Sequence, residues 1–170
     1  ASHALIMEDL ELIREFEQQN SKKTYSAEYA VSQVMRRNAK AMEAVARYVV
    51  ALVQERSLHD RVLISCFHYP TIQLVRELDP TIPTAFLHIL IDRSWEELAR
   101  DVAADGHTAL HPWDGLVDEA LMAAATGHGL EVNVWTVDDP DRMAQLVALG
   151  VHGLCTNVPD VARQVLDAPT

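Results

Sequence analysis

The feature that most constrains the fold of this 170-residue chain is a strand–helix–strand pattern in residues 130–160. Two apolar segments, Leu130–Val137 and Val151–Thr156, flank one amphipathic helix, and each ends in a cluster of polar residues. Strands that are joined by a helix run parallel, so their polar ends gather on the same side of the sheet. The segment therefore predicts a βαβ unit with a polar rim at the carboxyl ends of its strands.

The same alternation of strands and helices extends upstream to residue 61. In chain order the predicted elements are a strand Val62–Phe67, a helix opened by Pro70 over Thr71–Leu78, a strand Thr84–His88, a helix capped by Ser94, a strand Thr108–Pro112 and a helix Leu116–Thr126. After the βαβ unit, a last helix follows Pro159. Alternating elements with short loops predict an α/β fold, a parallel sheet covered by helices.

The first 45 residues are predicted to be helical instead. Apolar residues recur at helical spacing over His3–Gln19, and Ser26 caps a second helix that runs without interruption to about Arg56. These two helices are expected to pair as a hairpin. We therefore expect two parts, a helical hairpin over residues 1–45 and an α/β part over residues 46–170.

The charge of the chain excludes several kinds of partner. A net charge of -11 argues against nucleic acid and anionic membrane surfaces. No apolar run approaches the ~20 residues that span a bilayer, and charges throughout the first twenty residues speak against a signal peptide. We expect a cytoplasmic protein in which Cys66 and Cys155 are buried free thiols.

Three histidines follow successive strands and are therefore candidate metal ligands. His68, His88 and His111 are expected on one rim, where imidazoles could bind Zn²⁺ or Ni²⁺ with Asp114 or Asp138 as a carboxylate partner. The alternative is that they are loop histidines without a ligand. Apart from such an adventitious divalent metal, no cofactor is expected.

Other polar residues of the rim allow two interpretations each. Trp135 could stack on a ligand or pack as a partly buried side chain. Asp138, Asp139 and Asp141 could bind a ligand, although capping the helix that begins at Pro140 is a sufficient role. Thr156 and Asn157 precede a helix N-terminus whose backbone amides could hold a phosphate or sulfate.

Several segments together resemble the C-terminal half of the glycerophosphodiester phosphodiesterase family, over about residues 43–170. The segments that carry the resemblance are Arg61–Phe67, Pro83–Leu87, His111–Pro112, the run Val134–Pro140 (VWTVDDP) and the run Gly150–Asp160 (GVHGLCTNVPD). That family folds as a (β/α)₈ barrel, which takes ~250 residues. The resemblance therefore implies about half of a TIM-type (β/α) barrel.

The resemblance also implies metal-assisted phosphodiester hydrolysis, with catalytic histidines and carboxylate ligands from "HRG", "ExD", "HD" and "ELK" motifs upstream of the matching part. This sequence has no counterpart of them. His68 stands where an Asp is common, and Asn157 replaces the Asp of "TD". The resemblance implies that the chain keeps only a substrate rim and no catalytic residues. The rim residues are Trp135, Ser65, Thr156 and Asn157.

The segments Ser2–Asp9 and Ser26–Val34 resemble the helical hairpin of phosphotransferase-system enzyme I, which docks a small phosphocarrier protein. Two unrelated resemblances with a seam near Met42–Val45, inside an unbroken helix, lead us to expect a chimera. We therefore expect a non-catalytic chimeric protein without evolved activity. The alternatives are residual metal-dependent hydrolysis of glycerophosphodiesters, or docking of a phosphocarrier by the hairpin.

Half of a barrel leaves two sheet edges and one sheet face uncovered. Exposed edges in proteins are paired or covered. The helical hairpin could cover the open side, or two copies of the chain could close it together. Of these, a homodimer is expected, because Val62–Phe67 lacks a neighbour on one side.

Overall fold

The computed structural model describes residues 27–90 and 93–167, and within them the side chains from residue 39 onward. The α-helices are α1 (Ala27–Glu55), α2 (Tyr69–Leu78), α3 (Trp95–Ala104), α4 (Glu119–Gly127), α5 (Pro140–Leu149) and α6 (Pro159–Asp167). The strands are β1 (Ile64–Cys66), β2 (Thr84–His88), β3 (Ala109–Pro112), β4 (Glu131–Val134) and β5 (Gly153–Leu154). Strands and helices alternate from β1 to α6, as predicted.

The five strands form one sheet in the order β1-β2-β3-β4-β5, and every neighbouring pair is parallel. Each strand therefore pairs with the strand that precedes or follows it in the chain, which is the strand order of a (β/α) barrel. The prediction of a parallel α/β fold is confirmed.

Register assigns each strand residue to one of two faces, because paired residues of parallel strands project to the same side. Phe86 pairs with Leu110, Leu110 with Val132, and Val134 with Leu154, and all five pack in one apolar cluster with the helices. We call the opposite side the inner face. Its residues are Ser65, Phe67, Ala85, Leu87, Ala109, His111, Trp113, Glu131, Asn133, Trp135 and Gly153.

The core of the α/β part lies between the sheet and its helices. Leu98, Leu110, Leu121, Val132 and Leu146 are at most 2% exposed, and burying each such side chain contributes about 1.5–3 kcal/mol before conformational entropy is subtracted. A second cluster joins Ala46, Val50 and Val53 of α1 to Val75 of α2 and to Ile82 before β2. These residues lie within one compact unit, Ala46–Thr170; the preceding unit ends at Val45.

The predicted helical hairpin lies partly outside the described residues. The helix expected over His3–Gln19 and the Ser26 cap both fall among the residues that are not described. Docking of a phosphocarrier depends on that hairpin and stays a prediction. Within the described ranges, α1 ends at Glu55, close to the predicted Arg56. No helix in these ranges is long and apolar enough to cross a membrane.

The strands are shorter than predicted because polar rim residues leave the ladder early. The predicted strand Leu130–Val137 is reduced to β4, and Val151–Thr156 to β5. The helix predicted from Leu116 begins only at Glu119, because the Asp118 carboxylate accepts a hydrogen bond from Leu121 N and caps it there.

The expectation that both cysteines are buried is wrong. Both thiols are free, but Cys66 is half-buried and Cys155 is exposed. Cys155 follows β5, whose two residues end before it, so its side chain lies in the rim loop rather than in the core.

Candidate functional site

Two aromatic rings meet over the inner face at the carboxyl ends of the strands. The centroids of the Phe67 and Trp135 rings lie 5.5 Å apart, with the ring planes nearly perpendicular. Phe67 follows β1 and Trp135 follows β4, and in a flat sheet those backbones would be about 14 Å apart, from three strand spacings of ~4.8 Å. The contact brings the ends of β1 and β4 together into a concave aromatic wall.

Trp135 is only 6% exposed, and its indole Nε1 donates a hydrogen bond to the backbone oxygen of His111, 2.6 Å away. Almost the whole Trp135 ring is therefore buried. Phe67 beside it is 36% exposed and forms the open part of the wall.

Below the aromatic wall, His111 and Asn133 form a polar pair on adjacent strands. His111 Nε2 and Asn133 Nδ2 lie 3.1 Å apart. Burial lowers the pKa of His111, and the opposing effect of the Glu131 carboxylate is smaller. His111 is thus a neutral imidazole at neutral pH, half-buried in the middle of the inner face.

The loops after β4 and β5 are joined by one carboxylate. Asp138 Oδ1 accepts hydrogen bonds from Thr156 Oγ1 at 2.9 Å and from Asn157 N at 2.8 Å, and Oδ2 accepts one from Asn157 Nδ2 at 2.9 Å. The bonds from Asn157, and then that from Thr156, lower the pKa of Asp138. These hydrogen bonds hold the loop after β4 against the loop after β5. Both oxygens of the Asp138 carboxylate already accept hydrogen bonds.

The Asp139 carboxylate caps α5, as the sequence predicted. Its Oδ1 accepts hydrogen bonds from Asp141 N and Arg142 N, and Pro140 follows as the first helical residue. Arg142 Nε in turn donates to Asp114 Oδ1 at 2.6 Å. Asp114 is thereby engaged in an ion pair that joins the loop after β3 to α5.

The expected convergence of the three histidines is wrong, because strand alternation separates them. Leu87 pairs with His111 and His88 with Pro112, so His88 and His111 lie on opposite faces of the sheet. The His88 ring packs near Phe86 on the helix side. His68 Nδ1 lies 2.8 Å from Thr71 Oγ1 of α2.

No group of three or more His, Cys, Asp or Glu side chains that could hold a metal ion occurs in residues 27–90 and 93–167. Of the predicted substrate rim, Ser65 and Trp135 lie on the inner face, and Thr156 and Asn157 lie on the loop after β5, tied to Asp138. The pairing of His111 with Asn133 was not predicted from the sequence. Its signal was the spacing, since Asn133 stands two residues before Trp135 and shares its face.

A second polar group lies at the amino ends of β2 and β3. His107 Nδ1 is 2.7 Å from Thr84 Oγ1, and both residues are buried. Desolvation lowers the pKa of His107, and burial with the neighbouring Asp105 raises the pKa of Tyr69, whose hydroxyl donates to Asp105 at 2.8 Å. This group lies at the end of the sheet opposite to the aromatic wall.

Comparison with known proteins gives a consistent match. The model of the glycerophosphoryl diester phosphodiesterase family matches residues 3–161. A protein of Bacillus subtilis (strain 168) named YqiK is 27% identical over 73% of this chain and 51% of its own length. A glycerophosphodiester phosphodiesterase of Caldanaerobacter subterraneus subsp. tengcongensis is 24% identical over 66% of this chain and 45% of its own. The chain spans about half the length of these curated relatives.

Solved structures agree on the fold. An Oleispira antarctica phosphodiesterase, solved in complex with the product sn-glycerol-3-phosphate, superposes with a TM-score of 0.68 at 18% identity. The match covers 76% of this chain and 52% of that one. At this identity the likeness establishes the fold alone.

The expectation of a non-catalytic chimera is wrong. The family match begins at residue 3 and runs through the expected seam at Met42–Val45 without a break. One family therefore accounts for both sides of the seam. The further resemblance of residues 1–45 to enzyme I stays a prediction.

Proposed function

Because the chain belongs to the glycerophosphoryl diester phosphodiesterase family, we propose that it acts in the hydrolysis of glycerophosphodiesters and binds the substrate on its inner face. The observation that carries this proposal is the aromatic wall of Phe67 and Trp135 at the carboxyl ends of the strands. In (β/α) barrels that end of the sheet holds the active site. The product complex of the Oleispira phosphodiesterase suggests sn-glycerol-3-phosphate as a probe.

The resemblance implies a divalent metal for this reaction, and the described residues do not fit one. No three-ligand group occurs among them. Asp138 already accepts three hydrogen bonds, and Asp114 pairs with Arg142. Under this proposal, the described part of the chain binds and orients the substrate.

The inner face suits the binding of a small polar molecule with an apolar side. Phe67 and Trp135 supply a wall that excludes water from one side of the ligand. Ala85 and Ala109 on the same face are fully buried, so the part of the wall that a ligand can reach is the Phe67 ring, which is 36% exposed.

The test is release of glycerol 3-phosphate from glycerophosphocholine, measured with Mg²⁺ or Ca²⁺. We expect release by the wild-type chain and, in Phe67→Ala, a KM raised about three- to tenfold with a smaller change in kcat, since an exposed ring of the wall is lost. Tyr48→Ala removes an aromatic side chain that is 70% exposed on α1 and is the matched control.

Absence of release above the protein-free reaction would overturn the proposed hydrolysis. An equal effect of the Phe67 and Tyr48 substitutions would overturn the assignment of the aromatic wall to substrate binding.

A further inference from the structure

The contact between Asn133 and His111 indicates which nitrogen of His111 carries the hydrogen. The Asn133 amide nitrogen lies 3.1 Å from His111 Nε2, and an amide nitrogen can only donate. His111 Nε2 is therefore the acceptor, and a neutral ring must then carry its hydrogen on Nδ1. Nδ1 has no hydrogen-bond partner among the described residues, and it is not sealed from solvent.

The position of the Asn133 amide depends on a glycine in the next strand. Asn133 pairs with Gly153 in the β4–β5 ladder. A Cβ atom added to Gly153 would lie only 2.4 Å from Asn133 Oδ1, a distance at which the amide has to move. The absence of a side chain at Gly153 thus lets Asn133 reach across to His111, while the bond from Trp135 Nε1 fixes the His111 backbone.

The surroundings of His111 are poor in positive charge. The inner-face residues include no Lys or Arg, and Glu131 contributes a carboxylate. A neutral N–H donor without a neighbouring cation stabilises an uncharged hydroxyl oxygen, whereas a phosphate would be desolvated there without a counter-charge. Burial keeps the pKa of His111 low, so the ring stays neutral near pH 7.

We propose that His111, oriented by Asn133 and Gly153, donates a hydrogen bond from Nδ1 to an uncharged hydroxyl of the ligand. This part of the inner face then takes the alcohol moiety of a glycerophosphodiester and not its phosphate. The identity of that alcohol as glycerol rests on the proposed function, whereas the donor itself does not. Asn133 is a positioning residue, since it acts through the His111 ring.

The experiment is nitrogen NMR of the ¹⁵N-histidine-labelled chain, which distinguishes the two imidazole tautomers. We expect the His111 ring as the Nδ1–H tautomer at neutral pH, with its Nδ1 signal shifted by glycerol and unchanged by inorganic phosphate at the same concentration. His128, paired with Glu96 at 2.7 Å on the helix side, is the internal control.

Two substitutions test the positioning without touching the imidazole. Gly153→Ala and Asn133→Leu should both turn the single tautomer into a mixture and weaken the glycerol response about fivefold, the effect of one lost hydrogen bond. His111→Leu should abolish the response. A tautomeric change is a readout that loss of stability alone does not produce.

An Nε2–H tautomer in the wild type, or a phosphate response as large as that of glycerol, would overturn the proposal. So would an unchanged tautomer and glycerol response in Gly153→Ala. A glycerol response without release of glycerol 3-phosphate overturns only the proposed hydrolysis, and hydrolysis without a glycerol response overturns only this inference.

Discussion

At the scale of single residues, two histidines at opposite ends of the sheet are kept neutral by burial. His111 faces the inner side near the carboxyl ends, and His107 lies with Thr84 at the amino ends. The local sequence did not predict the charge state of either imidazole, because burial and register decide it. The sequence was therefore least informative about the charge state of individual side chains.

His107 makes the stability of the chain sensitive to mild acid. Desolvation is the main cause of its lowered pKa; Arg76 also lowers that pKa, and Asp105 opposes both. Because the folded pKa lies below the ordinary value of 6.5, the unfolded chain binds the proton more readily. The stability that His107 contributes is complete above pH 6.5 and is lost as the pH falls toward the folded pKa.

We expect His107→Asn, which can keep a hydrogen bond to Thr84, to reduce the loss of unfolding free energy between pH 6.5 and about 5. One histidine contributes at most about 1.4 kcal/mol per pH unit. Urea unfolding of both proteins at a series of pH values measures this, and parallel pH profiles would contradict it.

At the scale of elements, the starts of α3 and α5 were predictable and the strand ends were not. Ser94 and Asp139 cap α3 and α5 as predicted, because a cap depends on side chains within three residues of the helix start. The end of β4 depends instead on Trp135, Asp138 and their partners in other loops. Interactions between distant segments are not encoded in a local pattern, so the predicted strands were too long.

The Ser94 cap offers a direct measurement of one such local signal. Ser94 Oγ accepts from Glu97 N, and the Glu97 carboxylate accepts from Ser94 N at 3.2 Å, which together form a capping box. We expect Ser94→Ala to lower the free energy of unfolding by about 1 kcal/mol, and Ser94→Gly by only a few tenths. Equal losses in urea unfolding would indicate that the hydroxyl makes no cap in solution.

At the scale of the whole molecule, the parallel five-stranded sheet could be predicted from the alternation of strands and helices. That the two ends of the chain match one family could not be predicted. Residues 1–45 and 46–170 resembled different families, because short helical patterns are weakly specific and a seam inside a helix leaves no mark in the periodicity. Because one family model matches residues 3–161, the two parts need not come from different proteins.

We propose that two copies of the chain associate through the sheet edges. Within the described residues, β1 pairs only with β2 and β5 only with β4, and Leu63 and Phe67 beside β1 are each 36% exposed. A net charge of -11 opposes association. Sedimentation equilibrium should therefore show more dimer at about 1 M salt than at about 0.15 M, as the Debye length falls from ~8 to ~3 Å. A monomer at both salt concentrations and high protein concentration would exclude the dimer.

The strand order has a consequence for how the chain folds. Ile64 pairs with Thr84, Ala109 with Glu131 and Asn133 with Gly153, so each new strand pairing closes a loop of only about twenty residues. The entropy lost on closing a loop grows slowly with its length, and these loops are nearly equal. The sheet can therefore grow from either side by adding one βα unit at a time, and low contact order should make it fold faster than sheets of similar size with distant pairings.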